Sequence, residues 1–132
     1  MRKNYLNKDI PVVDVNVKRS IEDEGIIIKN ALLDSGAFTS VISKKLCDDL
    51  NLEYMESQEV SVVHPNIECV TYTADLYLAY IELCDIAIKT RVLGLDFPEK
   101  KVTNAIIGRD VLRHFDVILR GKEKKLELIP AL

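Results

Sequence analysis

Long apolar runs are missing from this sequence of 132 residues. The longest, such as Gly25-Ile26-Ile27-Ile28, fall far below the roughly 20 residues a membrane-spanning helix needs. Met1-Arg2-Lys3-Asn4-Tyr5 carries a little positive charge but no apolar signal-peptide core behind it, so a cytoplasmic location and no membrane partner are expected. An excess of basic charge is also missing. The formal net charge is −3, which gives no electrostatic footprint for nucleic acid. Cysteine is scarce: Cys47, Cys69 and Cys84 are odd in number and lack CxxC spacing, which excludes a disulfide frame and a zinc site and reads as reduced thiols. His64 and His114 lie far apart with no acid or cysteine at ligand spacing, so neither a metal nor a cofactor is expected. With 5 glycines and 4 prolines there is no low-complexity linker, and no internal repeat is visible.

What remains is a balance of 48% hydrophobic and 30% charged residues, the composition of one globular domain over residues 1–132. The apolar residues are largely β-branched and come in short runs. Ile10 to Val17 alternates around Val13, Val15 and Val17, the period of a half-buried strand. Gly25 to Asp34 reads as a buried strand that ends on its aspartate, and Ser35-Gly36 as a turn. Ser43 to Leu50 reads as a short helix with Ser43 as N-cap. Val60 to Val63 and Ile67 to Thr73 flank His64-Pro65-Asn66, a hairpin tip. Leu76 to Leu83, Ile86 to Leu93, Ala105 to Ile107, Val117 to Leu119 and Lys125 to Ile129 read as further strands. Arg109 to Phe115 reads as a helix. The pattern is mainly β: a small closed barrel or sandwich with one or two short helices.

The chemistry concentrates in Ala31-Leu32-Leu33-Asp34-Ser35-Gly36-Ala37. An apolar strand delivers a carboxylate to its end, a hydroxyl follows, and a glycine lets backbone and substrate approach closely. Two such loops face to face would bring two carboxyl groups within hydrogen-bond distance. Like charges that close do not both ionise readily, so the pair holds one proton. One carboxylate can then act as base on a water while the other acts as acid on a peptide carbonyl. The tripeptide alone is a weak signal, arising by chance in roughly one chain in twenty of this length, and its bland meaning is a surface turn. The buried approach argues against that meaning. A second segment, Ala105-Ile106-Ile107-Gly108-Arg109-Asp110-Val111-Leu112, is an apolar strand, a glycine and a helix start.

Together the two segments resemble the retropepsin-like aspartic proteases, which include the retroviral proteases and the DNA-damage-inducible-protein proteases of eukaryotes. The first signature stands as Leu32-Leu33-Asp34-Ser35-Gly36-Ala37 followed by Phe38-Thr39-Ser40-Val41-Ile42-Ser43, and the second as Ile106-Ile107-Gly108-Arg109-Asp110-Val111-Leu112. The resemblance runs from about Pro11 to Ile129. It implies a small closed barrel, a homodimer with one Asp34 from each copy, and aspartic endopeptidase activity on a peptide or protein substrate. It makes Asp34, Ser35 and Gly36 the catalytic residues, with Ser35 bracing the loop across to its copy. A flap would span about Val60 to Thr73, and Ala37, Val62, His64, Ile67 and Ile107 would contact substrate. Lys125 to Leu132 is the expected seal between subunits.

Several residues depart from the family. The flap tip is not glycine-rich. Phe38 replaces an acidic residue that normally pairs with the arginine after the second-motif glycine, leaving the partner of Arg109 open. Phe38 itself reads as a core or dimer-contact residue, or as a pocket wall. Asp110 at a helix start reads as a cap. The alternative function is a catalytically weak dimeric peptide-binding or assembly module of the same fold.

Overall fold

The computed structural model describes residues 3–6, 10–63, 69–97 and 103–131. Ten strands and two short helices follow in order: β1 Lys3–Leu6, β2 Val12–Lys18, β3 Ile26–Leu33, β4 Val41–Ser43, α1 Lys44–Asp49, β5 Glu53–Val63, β6 Cys69–Leu83, β7 Ile86–Leu95, β8 Ala105–Ile107, α2 Arg109–Leu112, β9 Phe115–Arg120 and β10 Lys125–Pro130. The larger sheet runs β2-β3-β8-β4-β7-β6-β5, and β2 also pairs with β6. That last pairing, Asn16 to Lys18 against Tyr80 to Glu82, closes six strands into a barrel and leaves β5 projecting from β6.

Alternation fixes what faces inward. Val13, Val15 and Val17 are buried while Asp14 is exposed, because successive side chains of a strand leave on opposite faces. Ile28, Ala31, Ile42, Ala79, Ile81, Val92, Ile107, Leu126 and Leu128 join the same core. Each fully buried aliphatic side chain of the size of valine or larger contributes roughly 1.5–3 kcal/mol.

Turns that glycine would ordinarily make are made here by other residues. Cys84 and Asp85, at φ 52° and 62°, form a two-residue hairpin loop between β6 and β7 with both residues left-handed. Asn30 (φ 57°) occupies an irregularity between β2 and β3, where its N–H donates to Asp14 Oδ1 at 3.0 Å. Helix α1 starts on Ser43, whose hydroxyl accepts from the Leu46 N–H. It ends on Asn51 (φ 51°), with Asn51 N–H to Asp48 O and Leu52 N–H to Cys47 O closing the last turn. Asparagine tolerates this left-handed position better than most residues.

On the inner face of α1, Cys47 is fully buried. Burial pushes its thiol up to about 12, because the core does not solvate the thiolate, which is the form that reacts. Cys47 should therefore resist alkylation at neutral pH in the folded protein and react once denaturant is added, as read by mass spectrometry of the peptide that contains it. Labelling in the native state at the rate of a free thiol would contradict this packing.

The second sheet has the order β1-β10-β9. Strand β10 is hydrogen-bonded on both edges within its own chain, to β1 and to β9, so it has no edge to offer a second chain. The outer strands of that sheet are β1 and β9. The hairpin Lys125↔Arg120 to Pro130↔Phe115 also starts β9 at Phe115, which cuts the second helix back from the expected Arg109–Phe115 to four residues.

Candidate active site

Strand β3 carries Leu32 and Leu33 in parallel beside Ile106 and Ile107 of β8. The chain then leaves the sheet at Asp34, passes over the end of β8, and returns as β4, antiparallel on the other side of β8, with Val41 opposite Ile106. The loop of residues 34–40 is thus wrapped around β8 and held by backbone bonds to β8, to the start of α2 and to β7. Asp34 N–H donates to Ile107 O at 2.9 Å, Arg109 N–H to Ala37 O at 2.8 Å, and Leu93 N–H to Ser40 O at 3.0 Å.

Asp34 is half-buried. Its Oδ1 accepts the Gly36 N–H at 2.9 Å, and its carbonyl accepts the Ala37 N–H at 3.1 Å. One carboxylate oxygen is therefore held by the turn. Ser35 is exposed, and its hydroxyl makes no hydrogen bond among the described residues.

Beneath the loop lies a polar cluster that the sequence reading missed. Ser40 is fully buried; its hydroxyl donates to Asp110 Oδ1 at 2.7 Å and accepts the Gly108 N–H at 3.0 Å. Asp110 Oδ1 also accepts the Ser40 N–H, and Oδ2 accepts the Thr90 hydroxyl at 2.7 Å. Asp110 does accept a backbone N–H at the helix start, that of Val111 at 3.0 Å, although the N-cap position is Gly108, and its carboxylate also ties the end of the Asp34 loop to α2 and β7. Arg109, deprived of an acidic partner at position 38, lies with its guanidinium 5.4 Å from the centroid of the Phe38 ring. Such an exposed cation–π contact contributes roughly 0.5–1 kcal/mol.

Asp34, Gly36 and Ala37 open onto a groove of about 810 Å³, whose other walls come from Phe38, Thr39 and Val41, from Gln58 to Ser61 of β5, from Leu93, Leu95, Asp96 and Phe97, and from Ile106. Phe38 is 70% exposed, so it is a groove wall and not a core residue. Ile107, expected to contact substrate, is fully buried in the core; strand alternation turns Ile106 to the groove in its place. The side chain of Val62 and all of His64 and Ile67 lie outside the described residues, as does the expected flap tip. No group of three or more histidine, cysteine or acidic residues among the described residues could hold a metal, and no helix there is long and apolar enough to cross a membrane.

The retroviral aspartyl protease family matches the sequence over residues 7–120. The chain belongs to that family. Among solved structures, the EIAV protease in complex with the inhibitor HBY-793 is 25% identical, with a TM-score of 0.54 over 83% of this chain and 90% of that one. The retroviral protease-like domain of Ddi1 from Leishmania major is 14% identical and shares the fold with a TM-score of 0.52 over 96% of this chain and 97% of that one. The protease of simian foamy virus (mac), 13% identical, gives a TM-score of 0.53 over 77% and 91%. No curated protein matches the chain in sequence. As a retroviral aspartyl protease domain, the chain has its Asp-Ser-Gly loop where β3 passes β8, and its second signature supplies the strand and the Gly108 hinge that the loop wraps.

Proposed function

We propose that the protein is an aspartic endopeptidase, active as a homodimer in which the two copies of Asp34 share one proton. The observation that carries this reading is the placing of Asp34: half-buried, with one oxygen held by the Gly36 N–H, on a loop wrapped around β8 and open to a groove of about 810 Å³. The chain contains one Asp-Ser-Gly, so the second carboxyl must come from a second copy.

The face beside the loop supports that assembly. A depression of about 330 Å³ is lined by Pro11, Leu33, Ser35, Arg109, Leu112, Arg113, Val117 and Leu119. Leu119 is 62% exposed, and Ile10 and Val117 are close to 40%. An apolar patch continuous with a loop that must meet its symmetry mate is the expected signature of a two-fold interface, and the unpartnered Ser35 hydroxyl lies within it.

The substrate would lie extended in the groove, taking main-chain hydrogen bonds from the outer edge of β5, which among the described residues pairs with β6 alone. In the reaction, the ionised carboxylate takes a proton from a water as the water oxygen attacks the scissile carbonyl carbon. The protonated partner gives its proton to the carbonyl oxygen. Collapse of the tetrahedral adduct breaks the C–N bond: the proton first taken from water goes to the leaving amine, and one hydroxyl of the adduct returns its proton to the partner carboxylate as the new carboxyl group forms, which restores the one-proton pair.

Dilution tests the shared site. Specific cleavage of a mixed peptide library should fall as the protein dissociates, and Leu119→Asp should sediment as a monomer and lose cleavage by at least roughly a hundredfold, since a buried unpaired charge opposes the interface strongly. A species shown by sedimentation to be a monomer that still cuts at the parent rate would end the proposal.

A further inference from the structure

The groove has a charge pattern that peptide hydrolysis by itself does not require. Its lining is largely apolar, with Val41, Val60, Leu93, Leu95, Ile106 and the Phe38 ring beside the neutral polar Thr39, Gln58 and Ser61. Among the described residues, its charged lining apart from Asp34 is Glu59 and Asp96, both exposed, with no lysine or arginine. Glu56, Asp75, Glu82 and Glu127 each face a lysine or arginine within 4.0 Å or less. Glu59 and Asp96 have no hydrogen-bond or ion-pair partner among the described residues. The nearby cation, Arg109, is engaged on the Phe38 ring.

Unpaired carboxylates along an apolar cleft concentrate negative potential inside it, because the low-dielectric walls focus the field. They would attract cations and repel acids on anything that enters. From this we infer that the substrate is an extended segment with apolar side chains at its centre and lysine or arginine on either side, read by Glu59 and Asp96. The inference rests on the endopeptidase reading above. Two-fold symmetry places the same pair of acids on both sides of the scissile bond, so the cations belong on both flanks. Selection works in both directions: basic flanks gain ion pairs, and acidic flanks meet like charge.

The test uses the full chain and three short peptides with one common apolar centre, flanked on both sides by lysine, serine or glutamate. The lysine peptide should be cut with a kcat/KM roughly tenfold above the serine peptide at low salt, the glutamate peptide being slowest, from several partly exposed pairs acting together. Raising salt to about 1 M shortens the screening length to roughly 3 Å and should erase the order. In the double variant Glu59→Gln/Asp96→Asn the ratio of lysine to serine peptide should approach one. Equal rates in the parent protein, or a preference for glutamate, would overturn the inference. Binding of the same peptides to Asp34→Asn, followed by fluorescence anisotropy, separates it from the chemistry. Tighter binding of the lysine peptide with no cleavage by the parent would uphold the charge reading and sink the endopeptidase. Equal binding of all three would overturn the charge reading whatever the parent cuts.

Discussion

Asp34→Asn should lower peptide cleavage by about 10⁴-fold or more while leaving the fold and the assembly as they are. In a homodimer one substitution removes both carboxyls, hence both the base that activates water and the acid that protonates the carbonyl. A positioned proton-transfer group contributes roughly 10²–10⁴ in rate, and a 10⁴-fold loss corresponds to about 5.5 kcal/mol of barrier. Asparagine keeps an oxygen where Oδ1 accepts the Gly36 N–H, so the turn need not change. The substitution thus separates chemistry from architecture. Circular dichroism and sedimentation should match the parent while turnover vanishes. Cleavage by the variant within tenfold of the parent would move the reaction to other residues and leave the peptide-binding or assembly alternative as the better account.

Much of this architecture is legible in the chain because it follows from period and burial. The alternation of Val13, Val15 and Val17 is the inward face of β2, Ala105–Ile107 is β8, and the apolar run before Asp34 ends in β3 one residue short of it. Ser43 caps α1 as its position before a polar–apolar run implies. Other features depend on contacts distant in sequence. Strand β4 has three residues, too few to show a period, and is held by β7 and β8 on its two sides. The loop at Cys84-Asp85 lacks glycine or asparagine, the residues that usually announce left-handed backbone. Ile106 and Ile107 read alike as apolar neighbours; only the direction of the core tells which one meets the groove. The partner of Arg109 was invisible for a similar reason: nothing in a string of letters says that losing an acid at position 38 gains a ring for the guanidinium to cover. Asp110 reads as a cap because it begins a helix, whereas its other partners, Ser40 and Thr90, are 70 and 20 residues away.

Gly108→Ala should cost about 1–3 kcal/mol of stability, a fall in Tm of roughly 5–15 °C, and cleavage should fall further than that loss explains. The glycine is not there for its dihedrals: at φ −95° and ψ −170° its backbone is extended, a conformation open to any residue. Space is the reason. A Cβ at Gly108 would stand 2.8 Å from Ala37 O and 3.0 and 3.1 Å from Thr39 C and O. All three are backbone atoms of the Asp34 loop, so no side chain can swing aside to relieve the contact. The loop must lift, and lifting it stretches the Arg109 N–H bond to Ala37 O and the Gly108 N–H bond to the Ser40 hydroxyl. Asp34 rides on that loop, and misplacing a reacting group by about 1 Å can cost on the order of a hundredfold in rate. Gly121→Ala is the matched control, since a Cβ there meets nothing within 4 Å and should leave Tm and kcat/KM unchanged. If Gly108→Ala instead melts and cuts like the parent, the wrapping of the loop around β8 is not what holds Asp34 in place.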